Sequence, residues 1–260
     1  MSTPASRRDD RSHTAAARWL GIARSLAMYY GVPLRARRMA SLYSRFVLPG
    51  SLCFDVGAHV GNRIRCWRRL DARVVAVEPQ PDFVRLLRLL YGRDDGVAIV
   101  PKAIGRAAGR ARLLVSRRTP TVTTLSREWI EEVSADASFA GVRWSEGDEI
   151  EITTLDALIA EHGEPDFVKI DVEGFEGEVL AGLTRPLRAL SFEYLPAARE
   201  RALECVARLT ALGDYRFNWS AGESQRLGAP EWLDASGIRA HLEGLPDASG
   251  SGDVYACVGP

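Results

Sequence analysis

The sequence predicts an α/β fold built on a mostly parallel sheet, and three observations carry that prediction. Short apolar runs at Leu52–Val56, Val74–Val77 and Val97–Val100 alternate with segments of helical periodicity around Ile64–Leu70 and Phe83–Tyr91. The first run ends in a glycine turn, Asp55-Val-Gly57-Ala-His-Val-Gly61-Asn62, that leads directly into the first of those helices. Glu78 closes the second run about twenty residues beyond the turn, where a carboxylate can accept hydrogen bonds from a ribose. Units of this kind place ligands at the carboxyl ends of parallel strands, near the point where strand order reverses.

The elements follow in order. Residues 1–13 are polar and read as a disordered tail. Apolar residues then recur at helical spacing from about Thr14 to Tyr30 and from about Leu34 to Val47, with Pro33 between the two segments. Their arginines (Arg35, Arg37, Arg38, Arg45) suit a solvated helix face better than a binding patch. Pro49-Gly50 breaks the chain before the first strand. Residues 1–48 therefore read as a tail and helical extension, and 49–260 as the main domain. After the third strand come Lys102-Ala-Ile-Gly105 and a hairpin strand at Ala111–Ser116.

Residues 117–150 interrupt the alternation and read as an insertion forming a lid or substrate wall, with a helix at Arg127–Val133. Ile150–Thr153 reads as a strand, and Thr154 as the cap of a helix over Asp156–Glu161. Beyond the charged strand at Asp166–Glu173, a helix at Glu178–Leu183, a strand at Arg188–Tyr194 and an amphipathic helix at Arg199–Leu212 are expected. Tyr215–Trp219 and Asp253–Val258 suit an antiparallel pair closing the sheet, with a loop and one short helix between them.

Composition narrows the function classes. Lys plus Arg balances Asp plus Glu at 34 each, so no basic field favours nucleic acid or an anionic membrane. The longest apolar runs are far too short to span a bilayer. Four scattered cysteines (Cys53, Cys66, Cys205, Cys257) show no C-x-x-C pair and no zinc spacing, which suits reduced thiols in a cytoplasmic protein. Oligomeric state leaves no signature.

The glycine spacing discriminates between cofactors. A dinucleotide turn needs G-x-G-x-x-G, and His59 occupies its middle glycine here. S-adenosylmethionine carries no phosphate; an acid before the turn (Asp55) and a ribose acid on the next strand (Glu78) suit its amino-acid end and its adenosine. A second constellation is Lys169-Ile-Asp171-Val-Glu173-Gly174. Continued as a strand, it would set Lys169, Asp171 and Glu173 on one side, a costly burial unless paired or placed at the open mouth. At the mouth, Asp171 or Glu173 could hold an acceptor hydroxyl, take its proton or help bind a divalent ion such as magnesium.

The stretches Phe54-Asp-Val-Gly-Ala-His-Val-Gly-Asn62, Val77-Glu-Pro79, Ala103-Ile-Gly105, Thr153-Thr-Leu-Asp156 and Lys169-Ile-Asp-Val-Glu-Gly174 occur in the order that resembles the FkbM family of SAM-dependent methyltransferases. The resemblance covers about residues 50–195. It implies a Rossmann-like class I methyltransferase fold: a mostly parallel seven-stranded sheet with helices on both faces. It also implies methyl transfer to a hydroxyl of a small molecule, sugar, glycan or natural product. Carried over by position, Asp55, Gly57, Ala58, His59 and Gly61 would line the cofactor site, with Glu78 and Pro79 at the ribose. Asp171 and Glu173 would flank the transfer site, with Asp171 the first candidate for base or acceptor anchor. Thr123-Thr-Leu125 is similar to the family's Ser/Thr-rich stretch after the third strand. His59 departs from the family's usual Asn. Two other readings share the fold: a non-catalytic binding or scaffold protein, and an NAD-dependent oxidoreductase.

Overall fold

The computed structural model describes residues 33–116, 119, 122–136 and 139–259. The expected tail and the helix over Thr14–Tyr30 lie outside the described residues. Helix α1 (Pro33–Tyr43) leads into β1 (Leu52–Val56), α2 (Asn62–Arg69), β2 (Arg73–Val77), α3 (Pro81–Tyr91) and β3 (Val97–Val100). A short β4 (Ala103–Ile104), β5 (Gly109–Ser116), α4 (Arg127–Val133) and β6 (Trp144–Thr153) come next. The chain closes with α5 (Leu155–His162), β7 (Phe167–Ile170), α6 (Glu176–Ala181), β8 (Ala189–Tyr194), α7 (Arg199–Leu212), β9 (Tyr215–Ala221), α8 (Ala235–Glu243) and β10 (Gly252–Val258).

Seven of these strands form one sheet in the order β3-β2-β1-β7-β8-β10-β9. The first five pair in parallel, whereas β10 runs antiparallel between β8 and β9. This is the Rossmann-like methyltransferase sheet expected, including its antiparallel closing pair. From β1 the chain winds outward through β2 and β3, then resumes on the other side at β7, so strand order reverses between β1 and β7. That junction is where an open α/β sheet holds its ligands.

Side-chain alternation sorts the sheet into two faces. Phe54 and Val56 on β1, Val75 and Val77 on β2, and Val168 and Ile170 on β7 share a wholly apolar cluster with residues of α5, α6, α7 and α8. The opposite parity, Cys53, Val74, Ala76 and Phe167, packs with Ile64 and Trp67 of α2 and Leu87 of α3. Met39, Leu42, Tyr43, Phe46 and Val47 join that second cluster, which carries the buried core across the expected boundary at residue 48. Tyr43 meets Trp67 and Phe167 edge-on at ring distances of 5.3 and 5.5 Å, and Phe46 stacks on Tyr255 at 5.7 Å.

Two strand boundaries differ from the sequence reading by three residues or more. Strand β6 begins six residues earlier than expected, because Ser145, Glu146, Asp148, Glu149 and Glu151 are exposed and only Ile150 is fully buried. Charged residues at its exposed positions hide the two-residue apolar period. Together β4, β6 and β5 make a separate three-stranded sheet. Strand β7, by contrast, stops at Ile170: Glu173 (φ +53°) and Gly174 (φ +83°) turn the chain, so Asp171 and Glu173 do not continue it.

Candidate active site

At the carboxyl end of β1 the chain must turn within a few residues, and Gly57 adopts φ +86° to do so. A Cβ here would lie 1.9 Å from the carbonyl oxygen of Asp171. Gly57 thus lets the turn cross the exit of β7, the strand paired with β1. The Gly57 and Ala58 N–H groups both donate to the Val77 carbonyl, tying the turn to the end of β2. His59 also has positive φ (+49°), a conformation that Asn tolerates better than most residues. Gly61 (φ +77°) caps α2, and its carbonyl accepts from the Tyr91 hydroxyl.

The turn presents its backbone to Glu78. One Glu78 oxygen accepts from the His59 N–H at 2.8 Å, and the other from the Gln80 N–H at 2.8 Å. Burial pushes this carboxyl up to about 7 even though both N–H groups pull it down. Its remaining acceptor capacity faces an open cleft. Gly57, His59, Pro79, Lys102, Asp171 and Glu173 also line this cleft, as do Thr123, Thr124 and Leu125.

Beneath the cleft lies a charged layer on the α1–α2 face of the sheet. Asp55 and Lys169 are neighbours in the β1–β7 register, and both are fully buried. Lys169 Nζ bonds Asp253 at 2.6 Å and the Ile170 carbonyl, with Asp171 at 3.6 Å. Arg63 reaches from the first turn of α2 to Asp171 at 2.8 Å. Burial alone would raise the Asp171 pKa; the two cations outweigh it and hold the carboxyl at about 2. Asp55 is less well served. Neither of its oxygens accepts a hydrogen bond among the described residues, and burial raises its carboxyl to about 7. Burial lowers the neighbouring His59 imidazole to about 4, and its ring sits 4.1 Å from that of Phe83.

The segment after β7 is held as a tight knot. Glu176, in the first turn of α6, accepts from the Val172 and Gly174 N–H groups. The Thr124 hydroxyl donates to the Glu173 carbonyl at 2.7 Å, and Arg201 of α7 donates to that of Gly174. A Cβ on Gly174 would strike Trp129 of α4 at 2.1 Å. On the far side of this knot a second cavity of about 940 Å³ opens between α4, α7 and residues 248–251. Glu173 borders both cavities. Glu193 stands across from it; burial and the charge of Asp171 drive both carboxyls well above the usual range, with Glu176 adding to the rise at Glu173 and Glu173 to that at Glu193.

The family model for the methyltransferase FkbM domain matches residues 55–211, more than half of the chain. This chain belongs to the FkbM methyltransferase family. A hexuronic acid methyltransferase, AglP of Haloferax volcanii, is 29% identical over 142 residues, covering 54% of this chain and 52% of that protein. The chain thus spans about half the length of that relative. Among solved structures, an FkbM methyltransferase of Methylobacillus flagellatus has a TM-score of 0.48 at 14% identity, covering 83% of this chain and 50% of that one. A SAM-dependent O-methyltransferase of Thermotoga maritima has a TM-score of 0.44 at 13% identity, covering 87% and 65%.

In this member of the FkbM methyltransferase family the residues expected at the site divide into three groups. Gly57, His59, Glu78, Pro79, Asp171 and Glu173 meet at the first cleft. Ala58 is fully buried in the core and Gly61 packs against Tyr91 and Leu87, so both shape the turn without bordering the cleft. Asp55 sits one layer below. Sequence reasoning missed Arg63, Tyr43 and Asp253, which surround Lys169 and Asp171. Arg63 did leave a signal, since a cation in the first turn of a helix opposes the helix dipole and needs a partner elsewhere. Among the described residues no helix is long and apolar enough to cross a membrane.

Proposed function

We propose that this protein is an S-adenosylmethionine-dependent O-methyltransferase acting on a sugar hydroxyl, with the cofactor in the first cleft and the acceptor in the second cavity. The observation that carries the proposal is Glu173, the carboxyl that borders both spaces. The chemistry of the donor set fits the cofactor. Glu78 keeps acceptor capacity for ribose hydroxyls at the lip of the cleft. His59 in place of the middle glycine argues against a pyrophosphate and hence against NAD. The sugar class is supported by similarity to a hexuronic acid methyltransferase.

When bound, the cofactor supplies an electrophilic methyl on a sulfonium whose departure leaves a neutral thioether. The protein's tasks are therefore to position the acceptor and to remove one proton. Asp171, already engaged by Arg63 and Lys169 and held at about 2, is a fixed charge suited to anchoring and poor at accepting a proton. Burial beside Asp171 and Glu176 raises the proton affinity of Glu173 above that of an ordinary carboxylate, so the base role falls to it rather than to Asp171. Its positive φ stores strain that the Glu176, Thr124 and Arg201 bonds hold in place.

Calorimetric titration with S-adenosylmethionine, its demethylated product and NAD tests the cofactor. Binding of the first two without NAD is expected, and binding of NAD alone would sink the reading. Glu173→Gln should then lower kcat by about 10²–10⁴ while leaving cofactor affinity within about twofold. Unimpaired turnover would remove Glu173 as base, and a complete lack of cofactor binding by the parent protein would favour the scaffold reading.

A further inference from the structure

The second cavity has a charge character that bears on which sugars it can hold. Asp136, Glu173, Glu176 and Glu193 line it, against one cation among the described lining residues, Arg201. That guanidinium is already committed. Its Nε and Nη2 bond both oxygens of Glu132 at 2.7 and 3.0 Å, and Nη1 donates to the Gly174 carbonyl at 2.9 Å. Turning it toward a ligand would release Glu132 and loosen the knot that positions Glu173.

Glu173 and Glu193 crowd each other and Asp171 closely enough that one oxygen of each lies within 4.8 Å of the others. An incoming carboxylate would bring a further negative charge to a group already so crowded that Glu173 and Glu193 hold their protons tightly beside the ionised Asp171, and it would find no uncommitted cation among the described lining residues. A hydroxyl, by contrast, donates to a carboxylate, and an ammonium pairs with one. The remaining walls are apolar or small: Trp129, Phe139, Leu195 and the Ala248–Ser251 stretch. They suit the carbon face of a sugar ring.

Building on the sugar-methyltransferase reading, we infer that the second cavity selects non-anionic acceptors, meaning neutral or amino sugars, and rejects uronates. In this respect the chain departs from the hexuronic acid methyltransferase it is similar to.

The test is methyl transfer from labelled cofactor, with the full chain, to three matched probes: methyl glucoside, methyl glucosaminide and methyl glucuronide. The neutral and amino probes should exceed the glucuronide in kcat/KM by at least about tenfold. The gap should narrow severalfold as ionic strength rises from about 0.05 to about 0.5 M, because screening weakens like-charge repulsion. Glu193→Gln, a near-isosteric change, should narrow it as well, most at alkaline pH, where the raised Glu193 carboxyl of the parent gives up its proton. A glucuronide methylated as well as the others, or better, overturns the inference and leaves the sugar reading standing. A gap unmoved by both salt and Glu193→Gln overturns its electrostatic basis. Cofactor binding without transfer to any of the three would remove the sugar reading and this inference together.

Discussion

The two faces of the central sheet are made by the same strands but do different work. On the α5–α8 face, Phe54, Val56, Val168 and Ile170 are apolar and fully buried, and nothing on their strands interrupts that face. On the α1–α2 face the same two strands carry Asp55 and Lys169. Arg63, Asp171 and Asp253 then close a charged layer around them. One residue of register separates a face that stabilises from a face that positions the cleft. Burying charge costs several kcal/mol per ion unless it is paired, and here Lys169, Arg63, Asp171 and Asp253 pair one another.

The largest expected effect comes from opening the charged layer at its centre. Lys169→Met leaves Asp253 without its closest cation and Asp171 with Arg63 alone, and should destabilise the fold by about 3–5 kcal/mol in urea denaturation. Val168→Ala, one residue away on the other face, should cost about 2 kcal/mol and leave cofactor affinity unchanged. Equal effects of the two on cofactor binding would erase the distinction between the faces.

Gly57→Ala comes next. The new methyl meets the Asp171 carbonyl, and alanine resists φ +86°, so a loss of about 3 kcal/mol or more is expected, with weaker cofactor binding. A variant of unaltered stability would show that the two strand exits are not locked together. Glu78→Ala strands the His59 and Gln80 N–H groups and removes the carboxylate proposed to accept from the ribose. Calorimetry should find S-adenosylmethionine binding weakened by about 1.5–3 kcal/mol.

Much of the first cleft was legible because its parts are local. Asp55, Gly57 and His59 lie within five residues, Glu78 follows one βα unit later, and glycines with an acid at a strand end have few physical explanations. Lys169 was readable as a charge that had to be paired. Its main partner was not, since Asp253 is 84 residues distant on the closing strand and follows no periodic pattern. The second cavity is less legible still. Its walls come from α4, the turn after β7, the end of β8, α7 and the loop before β10, and only the folded topology brings them together. Helix α4 was located from sequence, yet its Trp129 packing on Gly174 could not be.

The smallest effect concerns His59, and its sign depends on pH. Its folded pKa of about 4 lies below the ordinary histidine value of 6.5, so the unfolded chain binds the proton more readily. Stability should therefore fall as pH drops from 6.5 toward 4. Glu78 and Asp55, both raised to about 7, act in the opposite direction and favour the fold as pH drops through the same window. His59→Asn removes the first effect and keeps the second, while suiting the positive φ at that position. It also loses the contact with Phe83, a cost that does not vary with pH. The informative quantity is thus the stability difference between variant and parent at two pH values. That difference should shift in favour of His59→Asn by about 1–2 kcal/mol between pH about 7.5 and about 5. A difference that stays constant would mean that the imidazole takes up its proton in the folded protein as readily as in the unfolded chain, and that the cleft is wetter beside His59 than its burial implies.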